Sequence, residues 1–364
     1  MRCQRASDYV VRYFHFLREK KEGSIRFAMR RHFLAASVAI ALAVASIAVA
    51  VAANCKLVQV DEWPIRLERN RLLVDGAING QKIGVMLDTG AMRSFIPRST
   101  ATRLNLRRQP TRYATFGVGG NSYLDIVYLK EFRIGQSTRK DWGVFSAGEK
   151  DFGANVGFIL GDDFFSQVDV EFDLAHNAVR LFQPKDCNGA SLAYWAPDDH
   201  SDVAIERVDD FHPQIVLPTL INGQPLKALL DSGSPTSVLT KSAAARLGVT
   251  PETPGVVATG SAIGVGPNAI DSWIGPFESV VIGNERIRDT TIRFADLYNS
   301  NAPHLHPMLL GVDFLRSHRV FVAHSQRKMY FTYAGGPVFQ FTGPMETRSS
   351  PSPEGGPKPA TGGN

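Results

Sequence analysis

Two carboxylates close apolar segments in nearly the same way: Val85-Met86-Leu87 runs into Asp88-Thr89-Gly90-Ala91, and Ala228-Leu229-Leu230 runs into Asp231-Ser232-Gly233-Ser234. Asp is depleted in strands and rarely buried without a partner. A single Asp-x-Gly is usually a turn whose carboxylate bonds its own backbone. Such a turn has no reason to recur with matching flanks. Two carboxyls brought face to face can do general acid–base chemistry, since like charges in contact cannot both ionise readily and one proton is shared. One group then activates a water while the other supplies a proton to a leaving group, with neither metal nor nucleophilic side chain. Asp88 and Asp231 are the candidate catalytic pair.

The elements that must position them are duplicated too. "INGQKIGVMLDTGAMRSFI" (78–96) is repeated as "INGQPLKALLDSGSPTSVL" (221–239), displaced by 143 residues. "TFGVGGNSY" (115–123) is answered by "AIGVGPNAI" (262–270), and "GFILGDDFF" (157–165) by "PMLLGVDFL" (307–315). Each copy reads apolar strand, acidic turn, Gly-rich hairpin, apolar strand ending in Gly, then Asp-Phe. A repeat of this length implies duplicated domains, not a solenoid. Between these landmarks lie short β-rich runs bounded by Gly, Asn, Asp or Pro. Helix signals are few and short: "PRSTATRLNL", with Pro97 suited to a first turn, "TKSAAARLGV" stopping at Gly248, and the "DDFFSQ" and "VDFLRS" segments.

These features resemble the retropepsin-like aspartic proteases, over a region from near Trp63 to Tyr333. The resemblance implies an all-β protein of two tandem β-barrel lobes related by a pseudo-two-fold axis, 63–184 and 203–334, joined by a linker at 185–202. It implies an aspartic endopeptidase that needs no cofactor and no metal, takes a peptide or protein substrate, and works as a monomer because one chain carries both halves. By the family pattern Thr89 and Ser232 cross-link the two turns beneath the dyad. Gly90 and Gly233 allow backbone N–H groups close to the carboxylates. Ser234 can donate to Asp231 as Ala91 cannot to Asp88, which predicts Asp231 to be the more acidic partner. Gly117, Val118, Gly119 and Gly120 in the first lobe, and Gly264, Val265 and Gly266 in the second, are expected to form flaps over an extended peptide. Pro267 departs from the "GVGG" form of the first flap. A catalytically silent peptide-binding protein using the same cleft is the alternative; intact Asp-[Thr/Ser]-Gly in both halves argues against it.

Charge excludes a polyanion partner. The chain of 364 residues has a net charge of +5, but residues 1–32 hold nine Lys and Arg against three acids, so the body is near neutral and nucleic-acid binding is rejected. Residues 1–55 read as a basic extension followed by an uncharged apolar stretch, 33–53. That stretch is either a cleaved signal peptide, with Met29 as a candidate start, or a membrane anchor. Both readings export the lobes, to the periplasm, the outside, or a membrane surface. Cys3, Cys55 and Cys187 lack metal-ligand spacing; Cys55 and Cys187 either pair in an oxidising compartment or stay free. His304 and His306 alternate but find no third ligand and read as a surface loop. Of Asp162-Asp163 only the second recurs, as Asp313, and is expected to be structural or to cap a short helix. Trp63, Trp142, Trp195 and Trp273 read as packing residues. The Gly- and Pro-rich tail, 335–364, is expected to be disordered.

Overall fold

The structure is a computed structural model, and it describes residues 55–148, 152–153, 155–206, 214–262, 264–298 and 306–339. Met29, Cys3, the apolar stretch 33–53, His304 and residues 340–364 lie outside the described residues. Strands take up 56% of the described residues, which makes the protein all-β. The chain divides into a larger unit, Val58–Gln183 with Leu192–Asn364, and a smaller one, Met1–Leu57 with Pro184–Ser191. In the smaller unit a disulfide joins Cys55 and Cys187, resolving the alternatives the sequence left open.

The first lobe runs β1 (Lys56–Pro64), β2 (Arg66–Glu68), β3 (Arg71–Ile78), β4 (Gln81–Leu87) and β5 (Phe95–Pro97), then helix α1 (Arg98–Arg103). It continues through β6 (Gln109–Gly117), β7 (Gly120–Ile134), β8 (Ser137–Ala147), β9 (Val156–Leu160), helix α2 (Asp162–Phe165), β10 (Asp169–Asp173) and β11 (Ala178–Lys185). After the linker come β12 (Ser201–Ala204), β13 (Val216–Ile221), β14 (Gln224–Leu230), β15 (Val238–Thr240) and helix α3 (Lys241–Arg246). The second lobe ends with β16 (Val257–Ala262), β17 (Ile270–Ile282), β18 (Glu285–Ala295), β19 (Met308–Leu310), helix α4 (Val312–Ser317), β20 (His318–Ala323) and β21 (Lys328–Tyr333).

The duplication in sequence is a duplication in topology. One sheet has the order β2-β3-β4-β9-β5-β8-β7-β6 and the other β13-β14-β19-β15-β18-β17-β16. In each, the strand that ends on the acidic turn lies parallel to the strand that ends in Gly: β4 beside β9, and β14 beside β19. Strands flanked on both sides are apolar throughout, as Val156–Leu160 is, because neither face reaches water. A third sheet, β1-β11-β10-β20-β21-β12, pools strands from both halves. No repeat announced it, since its strands pair across the duplication, β10 with β20. One continuous core of buried side chains includes Phe158 and Phe172 of the first half with Phe294, Phe314 and Phe331 of the second.

Helix α3 begins on Thr240, whose side chain accepts from Ala243 N, and is followed by Gly248 at φ +82°. Pro97 stands at the N-cap of α1 rather than in its first turn. Trp63 is fully buried on Phe164, Trp142 packs on Phe132 and Phe158, Trp273 stacks on Phe294 and Trp195 meets Tyr194. The expected start of the tail at Gly335 is corrected: Ser317 Oγ donates to the Pro337 carbonyl at 2.8 Å and Phe339 is buried against Phe314, so the packed chain extends to Phe339. Among the described residues no helix is long and apolar enough to cross a membrane.

Candidate active site

Each acidic turn is fixed by the strand beside it. Asp88 N donates to the Leu160 carbonyl and Asp231 N to the Leu310 carbonyl, both at 2.9 Å. The Ser that recurs after each turn explains the recurring Asp. Ser94 donates through N (2.8 Å) and Oγ (2.7 Å) to Asp163, and its Oγ accepts from Gly161 N. Ser237 makes the same bonds to Asp313 and Gly311. Asp163 and Asp313 are therefore structural, as expected, but they hold the chain that leaves each acidic turn; Gly161 and Gly311, not the acids, occupy the N-caps.

Beneath the carboxylates the two turns are cross-linked. Thr89 Oγ1 donates to the Leu230 carbonyl at 2.7 Å and accepts from Ser232 N at 3.0 Å. Ser232 Oγ donates to the Leu87 carbonyl at 2.9 Å and accepts from Thr89 N at 3.0 Å. Both hydroxyls are buried and fully used, so each lobe's turn supplies the partners the other lacks.

The carboxyls meet above this cross-link. A Cβ at Gly90 would fall 2.4 Å from the Asp231 carboxyl carbon, and one at Gly233 would fall 2.3 Å from that of Asp88. Glycine is required at both positions because each turn is a wall of the other's carboxyl site. Asp88 Oδ1 accepts from Gly90 N (3.1 Å) and Ala91 N (3.0 Å); Asp231 Oδ1 accepts from Gly233 N (3.0 Å) and Ser234 N (3.1 Å). The two side chains come close enough to affect one another's ionisation. Each keeps part of its surface open to solvent although protein surrounds it.

Burial pushes both carboxyls above the ordinary range, and the Asp88 charge pushes Asp231 further, to well above it. The expectation that Asp231 is the more acidic partner is thereby corrected, and the geometry gives the reason. Ser234 Oγ donates to the Thr236 carbonyl at 2.8 Å rather than to Asp231, so each carboxylate receives two backbone N–H groups and no hydroxyl. Asp231 therefore has no hydroxyl donor to set it apart from Asp88, and the buried pair titrates as one unit.

The flap residues of the two lobes come together. Gly117 pairs with Gly120 at the end of the β6–β7 hairpin, with Gly119 at φ +84°. Gly266 N donates to the Val118 carbonyl and Asn268 N to the Gly119 carbonyl, both at 3.1 Å. A Cβ on Gly117 would meet Val265 at 2.7 Å, and one on Gly264 would meet Val118 at 2.5 Å. The tips thus touch backbone to backbone. Val118 packs on an apolar cluster of Val216, Leu229, Val238, Leu297 and Leu309 in the second lobe.

Three neighbours of the site had no repeat to reveal them. Tyr298 packs on the same cluster, and burial with the Asp231 charge pushes its phenol up. Asp162 is fully buried in the place that Val312 takes in the second lobe, and neither of its oxygens has a hydrogen-bond partner among the described residues. Arg71 lies half-buried at the start of β3 where the second lobe has Gln214. His306 meets Gln214 Oε1 at 3.2 Å, and no cluster of three metal-ligating side chains occurs among the described residues.

A family model described as aspartyl protease matches residues 74–164 and 217–314, about half of the chain. The chain belongs to the aspartyl protease family. Each match takes in one acidic turn, one flap and one Gly-Asp or Gly-Val-Asp element. A search of curated proteins finds no match.

Proposed function

We propose that the chain is an aspartic endopeptidase in which Asp88 and Asp231 activate a water against a peptide carbonyl. The approach of the two carboxyls across Gly90 and Gly233 carries this reading. Asp88, ionised, takes a proton from the water as its oxygen attacks the carbonyl carbon, while Asp231 gives its proton to the carbonyl oxygen. The tetrahedral intermediate then collapses as Asp88 passes its proton to the leaving nitrogen and Asp231 recovers one from the hydroxyl. The facing flap tips support closure over an extended peptide, which excludes water and aligns the scissile bond. Because one chain supplies both carboxyls, it acts as a monomer. The Cys55–Cys187 disulfide and the apolar stretch 33–53 support export, with the lobes outside the cytoplasm as a periplasmic, secreted or membrane-anchored protein.

The test is digestion of a peptide library from acidic to neutral pH by wild type, Asp88→Asn and Asp231→Asn. Loss of general acid–base catalysis lowers turnover at least about a hundredfold in each variant. Full activity in either removes the pair from the mechanism, and binding without cleavage by wild type favours the silent peptide binder. Sedimentation of the active species checks the monomer, and N-terminal sequencing of the exported chain checks the leader.

A further inference from the structure

The duplicated lobes differ in charge around the dyad. Between Thr89 and Tyr123 the first lobe holds six Arg residues and no acid; the matching stretch of the second, Ser232 to Ile270, holds Lys241 and Arg246 against Glu252. Two of the first lobe's cations have uncharged counterparts in the second. Arg93, exposed, follows Asp88 by five positions, where the second lobe has Thr236; Arg71 stands where the second lobe has Gln214. Gln214 is engaged by His306, whereas Arg71 has no carboxylate partner among the described residues.

Arg71 is placed to meet a ligand. It shares a strand face with Leu73, which packs with Met86, Val156 and Ile159 against Ala91 of the first dyad turn, and with Phe95 and Phe152. Arg71 Nη1 donates to the Phe152 carbonyl at 2.5 Å. The residue before it, Asn70, donates to the carbonyl of Pro235 in the second dyad turn and accepts from Arg316. Arg71 therefore lies between the apolar cluster beside Asp88 and the turn that follows Asp231. Its cross-strand neighbour Glu68 is taken by Arg66 and Asn155. Neither dyad turn offers another acid, since the residues that follow are Met92-Arg93 and Pro235-Thr236. Burial without a counter-ion, with Arg69 nearby, pulls this guanidinium down, so an anion from outside would be favoured there. A planar fork of donors at the rim of an apolar cluster fits a carboxylate carried next to an apolar side chain.

We propose that Arg71, assisted by Arg93, is a specificity-determining residue that selects peptides bearing a carboxylate, bound on the first-lobe side of the dyad. The proposal rests on the peptidase reading for its cleavage arm only. A charge-assisted hydrogen bond corresponds to a preference of about ten- to a hundredfold.

The probe is an octapeptide library in paired forms: Asp or Glu against Asn or Gln at each position, and each peptide with a free or an amidated C-terminus. Wild type is expected to cleave the carboxylate forms with kcat/KM about ten- to a hundredfold higher, mainly through KM. Arg71→Gln, which copies Gln214, combined with Arg93→Thr, which copies Thr236, abolishes the preference. The amidated arm assigns the carboxylate to a side chain or to the peptide terminus. Binding of the same peptides to the full chain carrying Asp88→Asn, read by fluorescence anisotropy, tests selection without cleavage. Selective binding upholds the proposal even where wild type cleaves nothing, which would instead remove the peptidase reading. Equal handling of acid and amide forms by wild type overturns it, as does a preference that survives both substitutions.

Discussion

Asp162 should make the protein lose stability as pH rises, and a single substitution isolates the effect. The carboxyl is fully buried, has no hydrogen-bond partner among the described residues, and feels the charges of Asp163 and Asp88. Burial first, then those two charges, pushes it from 3.8 up to about 8. An acid raised in the folded state keeps its proton there while the unfolded chain releases it. Its penalty is absent below pH 4, grows as pH climbs, and levels off above about pH 8. At about 1.36 kcal/mol per pH unit, the span from 3.8 to pH 7 amounts to about 4 kcal/mol, a large part of a domain's usual stability. Asp162→Val, which copies Val312 of the second lobe, removes the titration. Urea unfolding of wild type and variant at intervals from pH 4 to 8 measures the difference, in which the titrating groups remote from Asp162 cancel. The variant's advantage should widen by about 4 kcal/mol between pH 4 and 7. A gap constant to within about 1 kcal/mol across that range would refute the reasoning.

Four further outcomes concern the dyad. Thr89→Val strands the Leu230 carbonyl and Ser232 N, both buried, and should lower stability by about 1–3 kcal/mol in denaturant titrations. Gly90→Ala and Gly233→Ala put a methyl 2.4 Å and 2.3 Å from the opposite carboxyl carbon, so both should abolish peptide cleavage; activity within tenfold of wild type would contradict the packing. Activity needs the singly protonated pair. It falls on the acid side as a second proton binds and on the alkaline side as the shared proton leaves, and with both carboxyls raised the active window lies above that of ordinary carboxyls. Ser234→Ala should leave the pH–rate profile unmoved, because that hydroxyl is spent on the Thr236 carbonyl.

What the sequence determined by itself is what was written twice. The matched Asp-[Thr/Ser]-Gly turns, the hairpins around Gly119 and Gly266, and the Ile159-Leu160-Gly161 and Leu309-Leu310-Gly311 strands were legible because each must build the same local geometry in each lobe. Even the recurring Ser94 and Ser237 were visible, though their task of gripping Asp163 and Asp313 was not. Tertiary structure alone decided what belongs to one copy or arises between copies. The sheet that unites β10 with β20 has no periodic signature, because its pairing is between strands far apart in the chain. The Cys55–Cys187 bond depended on which backbones came close, and the preference of Ser234 for Thr236 on a rotamer that no spacing specifies. Asp162 and Arg71 look in sequence like ordinary surface charges. Burial that leaves Asp162 without a hydrogen-bond donor and Arg71 without a carboxylate among the described residues is a property of the packed chain, and it gives one an upward and the other a downward shift.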